Sequence, residues 1–152
     1  MSTTQANIEE TRAELKRKGS VTTSWEALGA EVLPNGVETS QFRIGDPDHA
    51  ESPTVFKVRF PPNCEIEPHS HDSDYCEIIL EGRQKVTGKW HEAGDIRIGL
   101  ANRVYGPLIA GEDGVTVLVI FADGRWPAIP LPNAEGGTLH GDQLADRFTS
   151  AT

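Results

Sequence analysis

Positive charge is what the sequence has too little of: 14 lysines and arginines stand against 23 aspartates and glutamates, a formal net charge of -9 over 152 residues. A protein that grips a phosphate backbone needs a basic surface to displace counterions, so the balance argues against nucleic acid and against an anionic membrane as partner. Long apolar runs are missing too. No segment approaches the ~20 residues of a bilayer span, and the opening "MSTTQANIEETRAELKRKG" lacks the apolar centre of a secretory leader. The expectation is a soluble, cytoplasmic protein. Cysteine is scarce: Cys64 and Cys76 are too few for a disulfide framework. Both are expected to be plain thiols used for packing, because no basic neighbour would lower their pKa. No internal repeat or low-complexity tract appears.

The length fits one domain with a substantial core. Residues 1–20 are read as a helical extension, with Asn7 as N-cap, a helix over roughly 7–18, Lys16 to Lys18 at its negative end and Gly19 as C-terminal cap. Residues 21–125 change texture. "VETSQFRI", "TVFKVRFP", "CEIILEG", "QKVTGKW", "GDIRIGL" and "VTVLVIFA" each read as a strand, separated by turn compositions such as "GDPDHAESP", "EGR", "HEAG", "NRVYGP" and "GEDG". Short strands without intervening helices predict an all-β, antiparallel sandwich or small barrel. Residues 126–152 are rich in proline and glycine and are read as a tail, in which "GDQLADRF" adds a helical turn or two.

Chemistry concentrates in "PHSHDSDYCEIILEG". Side chains at i and i+2 of an extended chain share a face, so His69 and His71 converge, and so do Tyr75 and Glu77. Two histidines and a carboxylate make the facial ligand set of non-haem iron, with open positions for substrate or water. Tyr105 is a fourth candidate donor, since a phenol binds as phenolate beside a divalent cation. Against this stand plainer roles: an outward Glu77 on a bulged strand, and both tyrosines as barrel filler. Asp72 and Asp74 read as turn residues, His49, His91 and His140 as loop residues, and Trp25, Trp90 and Trp126 as anchors. "GEDG" reads as a hairpin turn.

"FPPNCEIEPHSHDSDYCEIILEG" followed by "AGDIRIGLANRVYGP" resembles the two consecutive motifs of the cupin superfamily, over about residues 54–122. In the first motif His69 and His71 fill the histidine pair and Gly82 closes the pattern, while Asn63 stands at a glycine and Tyr75 at the glutamate. In the second, Gly94 opens the pattern and Tyr105 stands at the histidine; Leu100, Asn102 and Ile109 replace its proline, glycine and asparagine. Asn63 and Asn102 keep the backbone, because asparagine tolerates positive φ. The tyrosines change the chemistry. The resemblance implies a jelly-roll barrel, a small-molecule substrate and a homodimer.

Three functions follow as expectations. The first is a metal-dependent enzyme with iron, manganese, nickel or zinc on His69, His71, Glu77 and Tyr105, doing lyase, dehydratase or isomerase chemistry, with dioxygenase chemistry as its variant; Tyr105, Glu77 and Tyr75 are its catalytic candidates. The second is a metal-free acid–base enzyme of the epimerase or cyclase kind. The third is a non-catalytic ligand-binding or sensor domain.

Overall fold

The structure, a computed structural model, describes residues 3–131. Helix α1 (Thr3–Lys18) begins four residues ahead of the expected Asn7 cap, since nothing in "TTQA" interrupts a helix; its C-terminal end is as read, with the Gly19 N–H donating to the Leu15 carbonyl. No α1 residue is fully buried. The helix makes a surface ion pair from Lys16 to Asp48 and lies beside a groove of about 660 Å³ lined by Ile8, Leu15, Trp25, Phe42 and Ile44. A single turn, α2 (Trp25–Leu28), follows, capped by the Ser24 side chain.

Ten strands come next: β1 (Glu31–Val32), β2 (Glu38–Arg43), β3 (Thr54–Phe60), β4 (Glu65–Ile66), β5 (His69–Ser70), β6 (Tyr75–Val86), β7 (Lys89–Glu92), β8 (Ile96–Gly99), β9 (Leu108–Phe121) and β10 (Ile129–Pro130). All pairings are antiparallel. The main sheet runs β1-β2-β3-β9-β6-β7, with β4 added on β9 and β8 on β6, and a small sheet joins β10 to β5. The predicted all-β barrel with a short N-terminal helix is what the chain forms. Period-two burial makes the core: Phe56, Val58 and Phe60 from β3 meet Val115, Val117, Val119 and Phe121 from β9, closed by Trp126, whose ring lies 4.8 Å from that of Phe56.

Several boundaries differ from the sequence reading. "EGR" and "GEDG" are not turns but the middles of two long strands, β6 and β9, which bend together. Gly82 has φ 79°, the β6–β9 register shifts on either side of it, and a Cβ there would stand 2.3 Å from the Gly114 carbonyl oxygen. The bend lets the start of β6 lie between β8 and β9 while its end lies between β7 and β9. Gly82→Ala is therefore expected to cost about 3 kcal/mol or more, from a left-handed residue plus a backbone collision, read as a fall in the urea midpoint. His91 sits in β7 and not in a loop. The span read as tail also enters the barrel: Trp126 and Ala128 are core residues and β10 pairs with β5, so proline there marks a strand edge and not the end of the domain. The predicted turn at "GDQLADRF", and His140, lie outside the described residues.

Strand β8 reverses the usual pattern. Ile96, Ile98 and Leu100 face solvent, Ile98 with 82% of its surface exposed, while Arg97 points inward. Cross-strand pairing explains it: Arg97 lies opposite Glu77 and Gly99 opposite Tyr75, and both β6 residues face the interior.

Candidate functional site

His69 and His71 straddle the end of β5 and are almost wholly buried, at 0% and 1% exposure. The segment that carries Tyr105 is laced to them by backbone: His69 and Tyr105 exchange both N–H···O bonds (3.1 and 3.0 Å), and the Asn102 N–H donates to the His71 carbonyl at 2.7 Å. Asn102, the turn residue whose N–H reaches His71, and Asn63, in the turn ahead of β4, have φ of 61° and 59°, the left-handed conformation asparagine accepts.

The imidazoles are oriented by main-chain acceptors. His69 Nδ1 lies 2.9 Å from the Glu67 carbonyl and His71 Nδ1 lies 2.6 Å from the Trp126 carbonyl. A carbonyl only accepts, so each Nδ1 carries the proton and each Nε2 presents a lone pair. Both lone pairs aim at one atom, the Tyr105 hydroxyl oxygen, at 2.9 Å from His69 Nε2 and 2.8 Å from His71 Nε2. A phenol has one proton and can donate to one imidazole at a time. The Tyr105 proton is thus shared between two acceptors.

Burial decides the charge states. It pulls His69 down to about 4 and His71 to about 3, and the Arg97 guanidinium pushes the same way, so both rings are neutral at pH 7. Burial likewise holds the Tyr105 phenol well above its ordinary value, with a smaller push from Tyr75 and Glu77, and it raises Tyr75. Both phenols stay protonated.

Glu77 faces inward, but its carboxylate is taken up elsewhere. Gln84 Nε2 donates to Oε1 and Arg97 Nη2 reaches Oε2 at 3.4 Å. Burial raises its pKa, and Arg97 opposes that shift. Arg97 is the residue the sequence reading missed. Its Nη1 donates to the Tyr75 hydroxyl at 2.9 Å, and its guanidinium lies over the Tyr105 ring, 4.3 Å from the centroid. The available signal was the register of "GDIRIGL" against "YCEII", which sets Arg97 opposite Glu77. Tyr75 joins the group through ring contacts with His71 (5.4 Å) and Tyr105 (5.5 Å). Asp74 caps a turn, accepting from the Ala101 N–H. The 660 Å³ groove beside α1 and a smaller hollow at the Gly82–Gly114 bend both lie apart from the cluster.

A divalent cation is poorly matched to this donor set. Among the described residues no three histidine, cysteine, aspartate or glutamate side chains gather as a ligand group. His69, His71 and Tyr105 offer two neutral nitrogens and a phenol oxygen, while the carboxylate expected to balance the charge is paired with Arg97. A guanidinium so close to the phenol ring disfavours a second cation.

No family model matches the sequence, and no curated protein matches it. Solved structures do resemble the fold. The polyketide cyclase RemF from Streptomyces resistomycificus has a TM-score of 0.60 at 18% identity, over 77% of this chain and 89% of that one. An RmlC-like cupin from Shewanella frigidimarina has 0.58 at 18% identity, over 70% and 93%. Oxalate decarboxylase from Bacillus subtilis has 0.54 at 19% identity over 70% of this chain, which spans only 30% of that chain. With the bent β6–β9 pair, the histidine pair on β5 and these likenesses together, the chain is identified as having the cupin fold.

Proposed function

We propose that the barrel cluster is an acid–base site that moves a proton on a small organic substrate, as in an isomerase, cyclase or lyase, with His69, His71 and Tyr105 as the proton-handling groups. The convergence of two neutral Nε2 lone pairs on one phenolic oxygen carries the reading. Tyr105 relays the proton: its oxygen takes a proton from a substrate C–H as its own O–H proton passes to an imidazole Nε2, and the new Nε2–H donates back to the Tyr105 oxygen. The bonding pair left on the substrate delocalises as an enolate. Return of the proton to another carbon or face isomerises the substrate, and departure of a β leaving group completes an elimination. The imidazolium N–H formed in this way is hydrogen-bonded to the Tyr105 oxygen, which offsets part of the cost of charging a buried ring. RemF, a polyketide cyclase by name, is a relative by fold whose reaction class suits this reading.

The metal-dependent reading keeps one specific support: histidine ligands characteristically donate their second ring N–H to a carbonyl, as His69 and His71 do. Oxalate decarboxylase from Bacillus subtilis has Mn(II) centres. The residues available here for iron, manganese, nickel or zinc are His69, His71 and Tyr105, without Glu77. Deuterium exchange into pyruvate and hydroxyacetone, followed by NMR with chelator-treated protein, separates the readings. Exchange that survives metal removal and is lost in His69→Gln supports acid–base chemistry. Exchange that returns only with added metal supports the metal site, and saturable binding with no exchange assigns the barrel to ligand binding.

The proposed partner is a second copy of the chain, meeting it through Leu80, Ile96, Ile98 and Leu100, an exposed and uncharged aliphatic surface on a chain of net charge -9. Only an equally uncharged face complements it without opposing acidic surfaces. Ile98→Glu is expected to halve the mass read by light scattering; a monomeric parent protein would remove the proposal.

A further inference from the structure

The chain places a guanidinium inside its barrel and does not fully use it. Arg97 is inward-facing on an otherwise outward-aliphatic strand, with 19% of its side chain exposed. An arginine head carries five N–H donors in a plane, and a carboxylate is met best by two of them at once. Glu77 fails to do this: it touches one nitrogen, at 3.4 Å, and its other oxygen is engaged by Gln84. Arg97 Nη1 goes to Tyr75, and the buried Nε–H meets no acceptor among the described residues. A buried donor left without an acceptor is costly and is kept where something arrives to use it.

Position gives the donor its meaning. The guanidinium stacks on the Tyr105 ring, whose hydroxyl oxygen is the meeting point of the two imidazoles. An anion held by Arg97 would sit one phenol ring from the proton-handling atoms. Tyr75, bonded to Arg97 and in ring contact with both His71 and Tyr105, packs against the same cluster. Of the other inward polar groups described here, the Glu77 carboxylate takes a single Arg97 nitrogen, and Gln84 and the histidines are neutral, so Arg97 is the group that would bind a negative charge.

Resting on the acid–base reading, we propose that the substrate is a small carboxylate, held by the Arg97 guanidinium with Tyr75 so that the carbon beside or next but one to the carboxylate faces His69, His71 and Tyr105. Arg97 is the specificity-determining residue: it selects the carboxylate over the neutral analogue, and its positive charge lies where an enolate's charge would develop. The proton balance is that of the acid–base step, since Arg97 neither gains nor loses a proton.

Binding, measured apart from turnover, tests this. Benzoate and 2-oxobutanoate are each compared with their primary amides by NMR titration of the Tyr75 and Tyr105 rings. The carboxylates are expected to bind about tenfold or more tightly than the amides. That preference is expected to vanish in Arg97→Met combined with Glu77→Gln, a pair that removes both charges together and leaves no buried carboxylate unpaired. Tyr105→Phe keeps the ring under the guanidinium and is expected to retain the preference while losing proton exchange, so failure of the acid–base reading and failure of the carboxylate assignment give different patterns. Amides binding as well as carboxylates, a preference that survives in the double variant, or a folded parent protein that binds neither carboxylate at millimolar concentration would each overturn the assignment.

Discussion

Tyr105→Phe is expected to reduce catalysed proton exchange by about 10²- to 10⁴-fold, the usual contribution of a positioned proton-transfer group. The hydroxyl is the shared partner of both imidazoles, at 2.9 and 2.8 Å, so its removal breaks the route by which a proton moves between them. The same substitution removes the donor that two buried lone pairs share, which predicts a loss of about 1–3 kcal/mol in stability, small enough for the barrel to stay folded. Tyr75→Phe should act differently. Its hydroxyl is bonded to Arg97, so substrate affinity is expected to fall more than the exchange rate of bound substrate. The pH profile adds a check on the acid side. With His69 held at about 4 and His71 at about 3, the bases keep their lone pairs well below the ordinary histidine range, and exchange is expected to persist from pH 8 to about 5.

Acid should cost the fold before it costs the chemistry. An imidazole whose pKa is 6.5 when the chain is unfolded and lower when folded binds its proton only in the unfolded state across that interval. Stability is then full above about pH 6.5 and falls as pH drops through it, down to the folded values. For two such histidines the loss between pH 8 and pH 5 is about 4 kcal/mol. Glu77 works in the opposite sense: its folded pKa is raised, so it favours the folded state as pH falls, and it offsets part of that loss. Urea unfolding at pH 8, 6.5 and 5 measures the net slope. His71→Asn is expected to remove roughly half of the histidine contribution, whereas a stability that is flat or rises on acidification would place the rings in water or in charged form.

How much of this was legible beforehand differs between backbone and site. Alternation in "TVFKVRF" and "VTVLVIF" located β3 and the end of β9, because strands buried on one face carry period two in their composition. Turn residues misled where a strand bends: Gly82 and Gly114 look like loop formers, yet the positive φ they supply serves the paired bend. Within the cluster, His69, His71 and Tyr105 were reachable from i, i+2 spacing and from the motif. Arg97 was not, since hydrophobicity alone turns Ile96 and Ile98 inward and the arginine out. Only the register against Tyr75 and Glu77 reverses that assignment. The role of Glu77 was missed for the same reason: its facing was readable, but the guanidinium that claims it comes from a strand twenty residues on. Trp126, assigned to the tail on its proline-rich surroundings, supplies the carbonyl that orients His71, a contact with no local signature.

The claim on which the account turns is the protonation pattern of the histidine pair. Long-range ¹H–¹⁵N correlation spectra of the imidazoles at pH 7 read it directly. The account predicts that His69 and His71 are both neutral, protonated at Nδ1 and bare at Nε2, with spectra that persist on acidification to pH 5. An Nε2–H tautomer, or an imidazolium signal at pH 7 for either ring, would contradict it.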